Sequence, residues 1–250
     1  MVPTYPNRYS PRGVPLARAT AQTRLAFLRK VYGLFFAGIL AAAGGAMTAL
    51  YAGAPIAAGK GVMVPPIVAF VMQHGIMSII VYFGAFFLLA GVRHRPGVNV
   101  AALLGFTFVS GLFIAPVLFV ATLMAKMGGT LSANPVRDAF LLATAGFGGL
   151  TAYAFTSKKD FSFLGGMLWM GLLVLIGASV IGMFVGSQVF HLAIASVGVL
   201  LFGAYVLYDT SRLLHSEEPI TPVDAAISLY LDFLNLFLFL LQLLSGRRND

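Results

Sequence analysis

Two aspartates stand where a charge is hardest to keep. In a chain of 250 residues, 59% hydrophobic and only 10% charged, Asp209 and Asp232 fall inside long apolar runs. An ionisable group at the centre of a membrane helix costs at least about 2.5–3.5 kcal/mol, so each needs a partner or a task. The residues before Asp232 read as a helix start: Thr221 suits the N-cap, Pro222 the first helical position, and Asp224 the third, where a carboxylate meets the helix's positive end. A helix from Pro222 to Ser245 is about 36 Å long and carries Asp232 about 15 Å in, near the midplane of a core about 30 Å thick. Ser228, Asp232, Asn235 and Gln242 fall within an arc of roughly 80°, with Tyr230, Leu234, Phe237, Leu241 and Leu244 opposite, so the polar stripe should face the bundle interior. Asp209 lies about 10 Å, and Asp232 about 16 Å, from the loop that joins their two helices. Antiparallel neighbours would bring the carboxyls together. Two carboxylates in one low-dielectric site cannot both ionise cheaply, so such a pair holds one proton and senses pH. Two plainer readings stand beside this one: Asp209 paired with Arg212 three residues on, at the membrane edge, and Asp232 as a structural, hydrogen-bonded acid.

Other chemistry is excluded more readily. With no cysteine there are no disulfides, thiolate metal sites or cysteine nucleophile. No HExxH, GxxxxGK[ST] or GxSxG pattern occurs, and none of the four histidines is spaced for a metal cluster. His74 with Ser78 and Tyr82 makes a helical stripe, His191 lies on the Asp209 face, and both histidines suit the outer interface. An aspartyl protease would need a glycine-rich setting, which Tyr208-Asp209-Thr210 and Leu231-Asp232-Phe233 lack. The chain is expected to be no enzyme and to carry no cofactor. The net charge of +8 would suggest nucleic acid in a soluble protein, but here it belongs to loop placement, and no nucleic-acid partner is expected.

So little charge cannot cover a soluble globule, whose charged fraction is about 25%. Most of the chain must face lipid. At about 35 residues per span and connection there is room for about seven spans. The apolar runs are 31–53, 66–92, 98–125, 139–156, 162–185, 188–211 and 223–245. The first is too long for a signal peptide despite Ala52-Gly53-Ala54 at its end. All eight acids lie from Asp138 onward, and an arm rich in Arg and Pro precedes the first run. Residues 1–24 are expected to be a disordered basic arm near anionic lipid, or one that docks a partner, and 25–250 the transmembrane domain. With the amino terminus inside, that side carries eleven basic residues against five, as the positive-inside rule favours. A re-entrant last run would shift the split to thirteen against three, so charge slightly favours re-entry. Glycine permits the close helix approach that lipid does not otherwise drive, and Ala178, Gly182 and Gly186 form one small-residue ladder, most simply for internal packing.

Four segments carry a resemblance. Ser228-Leu229-Tyr230-Leu231-Asp232-Phe233-Leu234-Asn235-Leu236-Phe237 resembles the terminal signature of the Bax inhibitor-1 family, including its bacterial YccA-like members. Phe106-Thr107-Phe108-Val109-Ser110-Gly111 with Pro116, Lys158-Lys159-Asp160-Phe161-Ser162-Phe163-Leu164-Gly165-Gly166, and Tyr205-Val206-Leu207-Tyr208-Asp209 agree, in the family's order, over about residues 25–245. The resemblance implies an all-α, seven-helix transmembrane bundle with its last helix central, and a pH-sensitive calcium leak. In that picture Asp209 and Asp232 form the pH-sensing dyad and meet Ca2+ in transit, and Arg93 latches onto the dyad in the closed state. Asn235 is expected to support Asp232. Some members carry a glutamate in the second span, where this chain has only His74, Ser78 and Tyr82. The expected partners are Ca2+, protons and the bilayer, and the expected place a bacterial inner membrane with the amino terminus in the cytoplasm. The alternative function is a membrane regulator that restrains a membrane-bound protease or a stress or cell-death pathway.

Overall fold

The computed structural model describes residues 19–58, 61–157, 159–215 and 219–246. Its first helix, α1 (Ala21–Tyr51), starts ten residues before the first apolar run because Thr20 caps it, accepting the Thr23 N–H at 3.3 Å. Hydropathy marks the lipid-crossing part of a helix, not its polar beginning. The boundary expected at residue 24 therefore falls in the first turn of α1, while the arm itself, residues 1–18, lies outside the described residues. A two-residue hairpin follows, β1 (Ile56–Ala57) against β2 (Met63–Val64), antiparallel with Ile56 opposite Val64.

The second run, expected as one helix, is two: α2 (Pro66–Gln73) and α3 (Gly75–Val92), broken at His74 with φ −113° and ψ 49°. The side chains there compete for helix carbonyls. His74 Nδ1 lies 3.1 Å from the Phe70 carbonyl with its ring stacked on Phe70, and the Ser78 hydroxyl donates to Val71 at 3.4 Å. Then come α4 (Val98–Lys126), α5 (Pro135–Thr156), a 3₁₀ turn at Ser162–Leu164, α6 (Gly165–Val185), α7 (Gln188–His215) and α8 (Pro222–Leu244). Asn134 caps α5 through the Arg137 N–H, with Pro135 at the first position, so α5 also begins before its apolar run. The expected start of α8 is present: Thr221 accepts the Asp224 N–H at 3.1 Å and donates its hydroxyl to Asp224 at 2.8 Å.

Seven of these helices are long and apolar enough to cross a membrane. The protein is an all-α, multi-pass integral membrane protein, with apolar side chains turned outward, such as Ile76 at 79% and Phe184 at 85% exposure. Helices α1 and α4 cross most tightly, where Gly45 meets the Phe108 carbonyl and Gly111 the Ala42 carbonyl with no room for a Cβ on either. Helix α8 packs against α1, α4, α5 and α7 as the bundle's centre. No residue from Pro222 to Gly246 is fully exposed, so both the polar stripe and the opposite face of α8 are covered. It also traverses the bundle: Asp224 at its start faces Arg93 at the end of α3, and Gly246 beyond its end accepts the Leu131 N–H in the α4–α5 joint. Re-entry, which charge alone preferred, does not occur within the bundle. Arg247 and Arg248, on which that preference rested, lie outside the described residues. Of the small-residue ladder, Gly182 faces His191 and Ile194 of α7, whereas Gly186 closes α6 at φ +62°.

Candidate functional site

Helices α7 and α8 form an antiparallel hairpin, and their offset places Asp209 beside Asp232. The two carboxyls lie within interaction range of each other. Asp232 is only 4% exposed, and its Oδ2 has no hydrogen-bond partner. Asp209 is half-buried and faces a cavity of about 340 Å³ that also takes in Arg93, His94, Arg212, Asp224 and Ser228. Two carboxyls this close in a low-dielectric setting are held together only with a proton on one of them. Tyr205, one turn before Asp209, lies within electrostatic reach of both acids. Arg212 is exposed and acts on Asp209 through its charge, while the side chain facing Asp209 from α8 is Asp232.

Arg93, Asn235 and His191 complete the predicted set. Arg93 reaches the cavity, but its ion pair is with Asp224, Nη1 to Oδ1 at 3.9 Å, and its Nε donates to His94 at 3.1 Å. Asp224, legible in the sequence as a helix cap, thus serves twice, with Oδ2 on Thr221 and Oδ1 facing Arg93. Asn235 donates to the Leu231 carbonyl of its own helix at 2.8 Å, so its amide N–H does not support Asp232. His191, expected on the Asp209 face about five turns away and near the outer side, lies near Gln242 at the opposite end of the bundle, in keeping with that spacing.

A second polar cluster escaped sequence reasoning. Asp160, in the α5–α6 joint, accepts from the Ser162 hydroxyl at 2.6 Å, the Ser162 N–H at 2.9 Å and the Ser211 hydroxyl at 3.0 Å. The Phe161 N–H donates to Ser211 at 2.8 Å, and His215 Nδ1 lies 3.1 Å from the Ser211 carbonyl. The Ser162 hydrogen bonds hold the Asp160 carboxyl below its ordinary range. This cluster ties the joint to α7 two residues beyond Asp209. Its signal was the Asp160-Phe161-Ser162 segment, but its partner Ser211 is fifty residues away in sequence.

Two carboxyls cannot cage a resident Ca2+, which takes 6–8 oxygen ligands. Among the described residues no group of three His, Cys, Asp or Glu side chains could hold a metal ion. The pair suits a proton, or a cation in passage. The arrangement lies within a match to the family model described as "Inhibitor of apoptosis-promoting Bax1", which covers residues 24–249. The chain belongs to the Bax inhibitor-1 family. Its similarity to family relatives runs nearly end to end. It is 35% identical to the Golgi anti-apoptotic protein of vaccinia virus, covering 93% of this chain and 90% of that one. It is 35% identical to protein lifeguard 4 of Mus musculus, covering 94% and 90%. An uncharacterized membrane protein of Vibrio cholerae is 39% identical over 75% and 78% of the two chains. As a Bax inhibitor-1 family member, the chain has anti-apoptotic homologues at close to its full length.

Proposed function

We propose that this Bax inhibitor-1 family protein is a passive, pH-gated cation conduit, with Ca2+ as cargo and no catalytic step. The observation that carries the reading is the carboxyl pair between α7 and α8, buried at one side and open at the other to the Arg93 cavity. With one proton between them the acids attract and hold α7 to α8. Without it they are adjacent anions that repel, and the charge they then offer suits a divalent cation in transit. Arg93, anchored on Asp224, stands at the mouth of the same cavity and stabilises the joined arrangement. The site end of the bundle is the cytoplasmic end in this reading, and the membrane is a bacterial inner membrane. Ca2+ flux into liposomes carrying the purified protein, measured between about pH 6 and 8, should depend on pH in the wild type and not in Asp232→Asn. Unchanged pH dependence in that variant overturns the reading.

A second reading is favoured by the name of the vaccinia relative, an anti-apoptotic protein. Here the chain restrains a stress or cell-death pathway, or a membrane protease, by contact. The basic arm is then the docking element. Deleting residues 1–20 should abolish inhibition and leave flux intact, whereas loss of flux with unaltered proteolysis counts against it.

A further inference from the structure

Away from the carboxyl pair, a crevice of about 470 Å³ opens between α1 and α5, with α8 as its floor. Helices α1 and α5 diverge here, and the small side chains Ala42, Ala43 and Ala46 leave the floor reachable. The floor is the face of α8 opposite Asp232, formed by Tyr230, Phe233, Leu234 and Phe237. Its rim is open, with Met47 60% and Phe140 44% exposed. From Tyr51 to Ile39 the crevice follows thirteen residues of α1, about 18 Å along the helix axis. It is apolar along that length and polar only at one end, where Arg137 and Asn134 begin α5. Arg137 is paired there with Asp138 at 2.9 Å, so the polar end is hydrated yet close to neutral.

We propose that this crevice is a binding site for one acyl chain of a bilayer phospholipid, with the headgroup at Arg137 and Asn134. Three observations select that occupant. An apolar lining gives water too few hydrogen-bond partners to stay. The opening lies between two membrane-crossing helices, where the surrounding medium is hydrocarbon. An apolar length ending in a polar, neutral rim complements an amphiphile with a single headgroup, whereas a partner helix, about 10 Å wide or more, is far bulkier than the single side chains that Ala42, Ala43 and Ala46 leave out. The lipid chain becomes a packing partner of α8, on the side away from its acids.

The test uses the full-length protein in mild detergent with palmitoyl-oleoyl phosphatidylcholine as the probe. Native mass spectrometry should show one phospholipid retained by the wild type. Ala43→Trp, which fills the crevice, should lower the retained fraction about tenfold, while Val174→Trp, on the outward face of α6, should leave it within about twofold. Equal retention in all three overturns the proposal. Because Ala43→Trp could fail to fold, a second arm leaves the crevice open. The double variant Trp169→Phe, Phe140→Trp carries its single indole at the crevice rim. A roughly equimolar phospholipid brominated on its acyl chains should quench that indole strongly and should scarcely quench the outward Trp169 of the wild type. Equal quenching of both overturns the proposal as well.

Discussion

Replacing Asp232 by Asn keeps the shape of the side chain and its capacity to hydrogen-bond Asp209, and removes only the charge it can acquire. In the wild type, loss of the shared proton places two negative charges side by side. At a separation of about 4 Å and an effective dielectric constant of about 20 they repel by roughly 4 kcal/mol, equivalent to about three decades in the equilibrium between joined and parted helices. Hydrogen bonding of the protonated pair adds in the same direction, since it operates only in the joined state. The Asn variant has no second charge to develop, so the bias vanishes and the α7–α8 contact becomes independent of pH. The assay is Ca2+ entry into proteoliposomes loaded with an indicator, at matched protein density, across about pH 6–8. The wild-type rate should change severalfold over that range, and the rates of Asp209→Asn and Asp232→Asn should each be flat. The double variant should be no flatter than either single one, because either substitution already dissolves the pair. Additive effects, or a surviving pH profile in both single variants, would refute the reasoning, since each would mean that the acids titrate independently of one another.

Other consequences are more local. Gly45→Ala and Gly111→Ala force a Cβ into the facing carbonyl at the α1–α4 crossing, and each should cost about 1–3 kcal/mol, read as a lower melting temperature in detergent. The Asp160 carboxyl is held below its ordinary range in the folded protein, so its contribution is complete above the unfolded value of about 4 and is lost as pH falls through the folded one. Asp160→Asn should therefore melt lower than the wild type at neutral pH and converge with it in acid, and parallel melting curves at both pH values would count against the assignment. Arg93→Ala breaks an ion pair whose Arg side chain is 51% exposed, and should cost under about 1 kcal/mol of stability, while the proposed conduit requires that it also alter Ca2+ flux.

The parts of this fold legible in the sequence were those dictated by the solvent. Seven runs of apolar residues had to cross a membrane, and the Thr221-Pro222-x-Asp224 start of α8 was legible because capping chemistry acts over three residues. Helix length alone set the depths of Asp209 and Asp232, and so predicted their meeting. What was not legible depended on competition between local groups or on distant partners. The break at His74 coincides with a histidine ring at the Phe70 carbonyl and a serine hydroxyl on the Val71 carbonyl, contacts that no hydropathy profile registers. Arg93 was assigned to the dyad by resemblance and Asn235 to Asp232 as its neighbour on one polar stripe, and each has another acceptor: the Asp224 carboxylate at the start of α8, and the Leu231 carbonyl one turn back. The link from Asp160 to Ser211 spans fifty-one residues and has no periodic signature at all.

These differences bear on how a proton could move helices. The Asp209–Asp232 contact lies within one helical hairpin, so parting it would only splay α7 from α8 unless the ends were held. They are held from different sides. Arg93 of α3 grips the start of α8 through Asp224, while Asp160 and Phe161 of the α5–α6 joint grip α7 through Ser211, and the Arg24 guanidinium of α1 donates to the Leu214 carbonyl at 2.5 Å. Repulsion between the acids would then be transmitted to α3 on one side and to α1 and the α5–α6 joint on the other, opening the bundle at the Arg93 end and leaving the opposite end, where Gly246 meets Leu131, as the fixed point. Ser211→Ala tests this step. It leaves both carboxyls in place but frees α7 from the joint, so the pH dependence of flux should weaken although the titrating pair is untouched. An unaltered pH profile in Ser211→Ala would locate the moving element entirely within the α7–α8 hairpin.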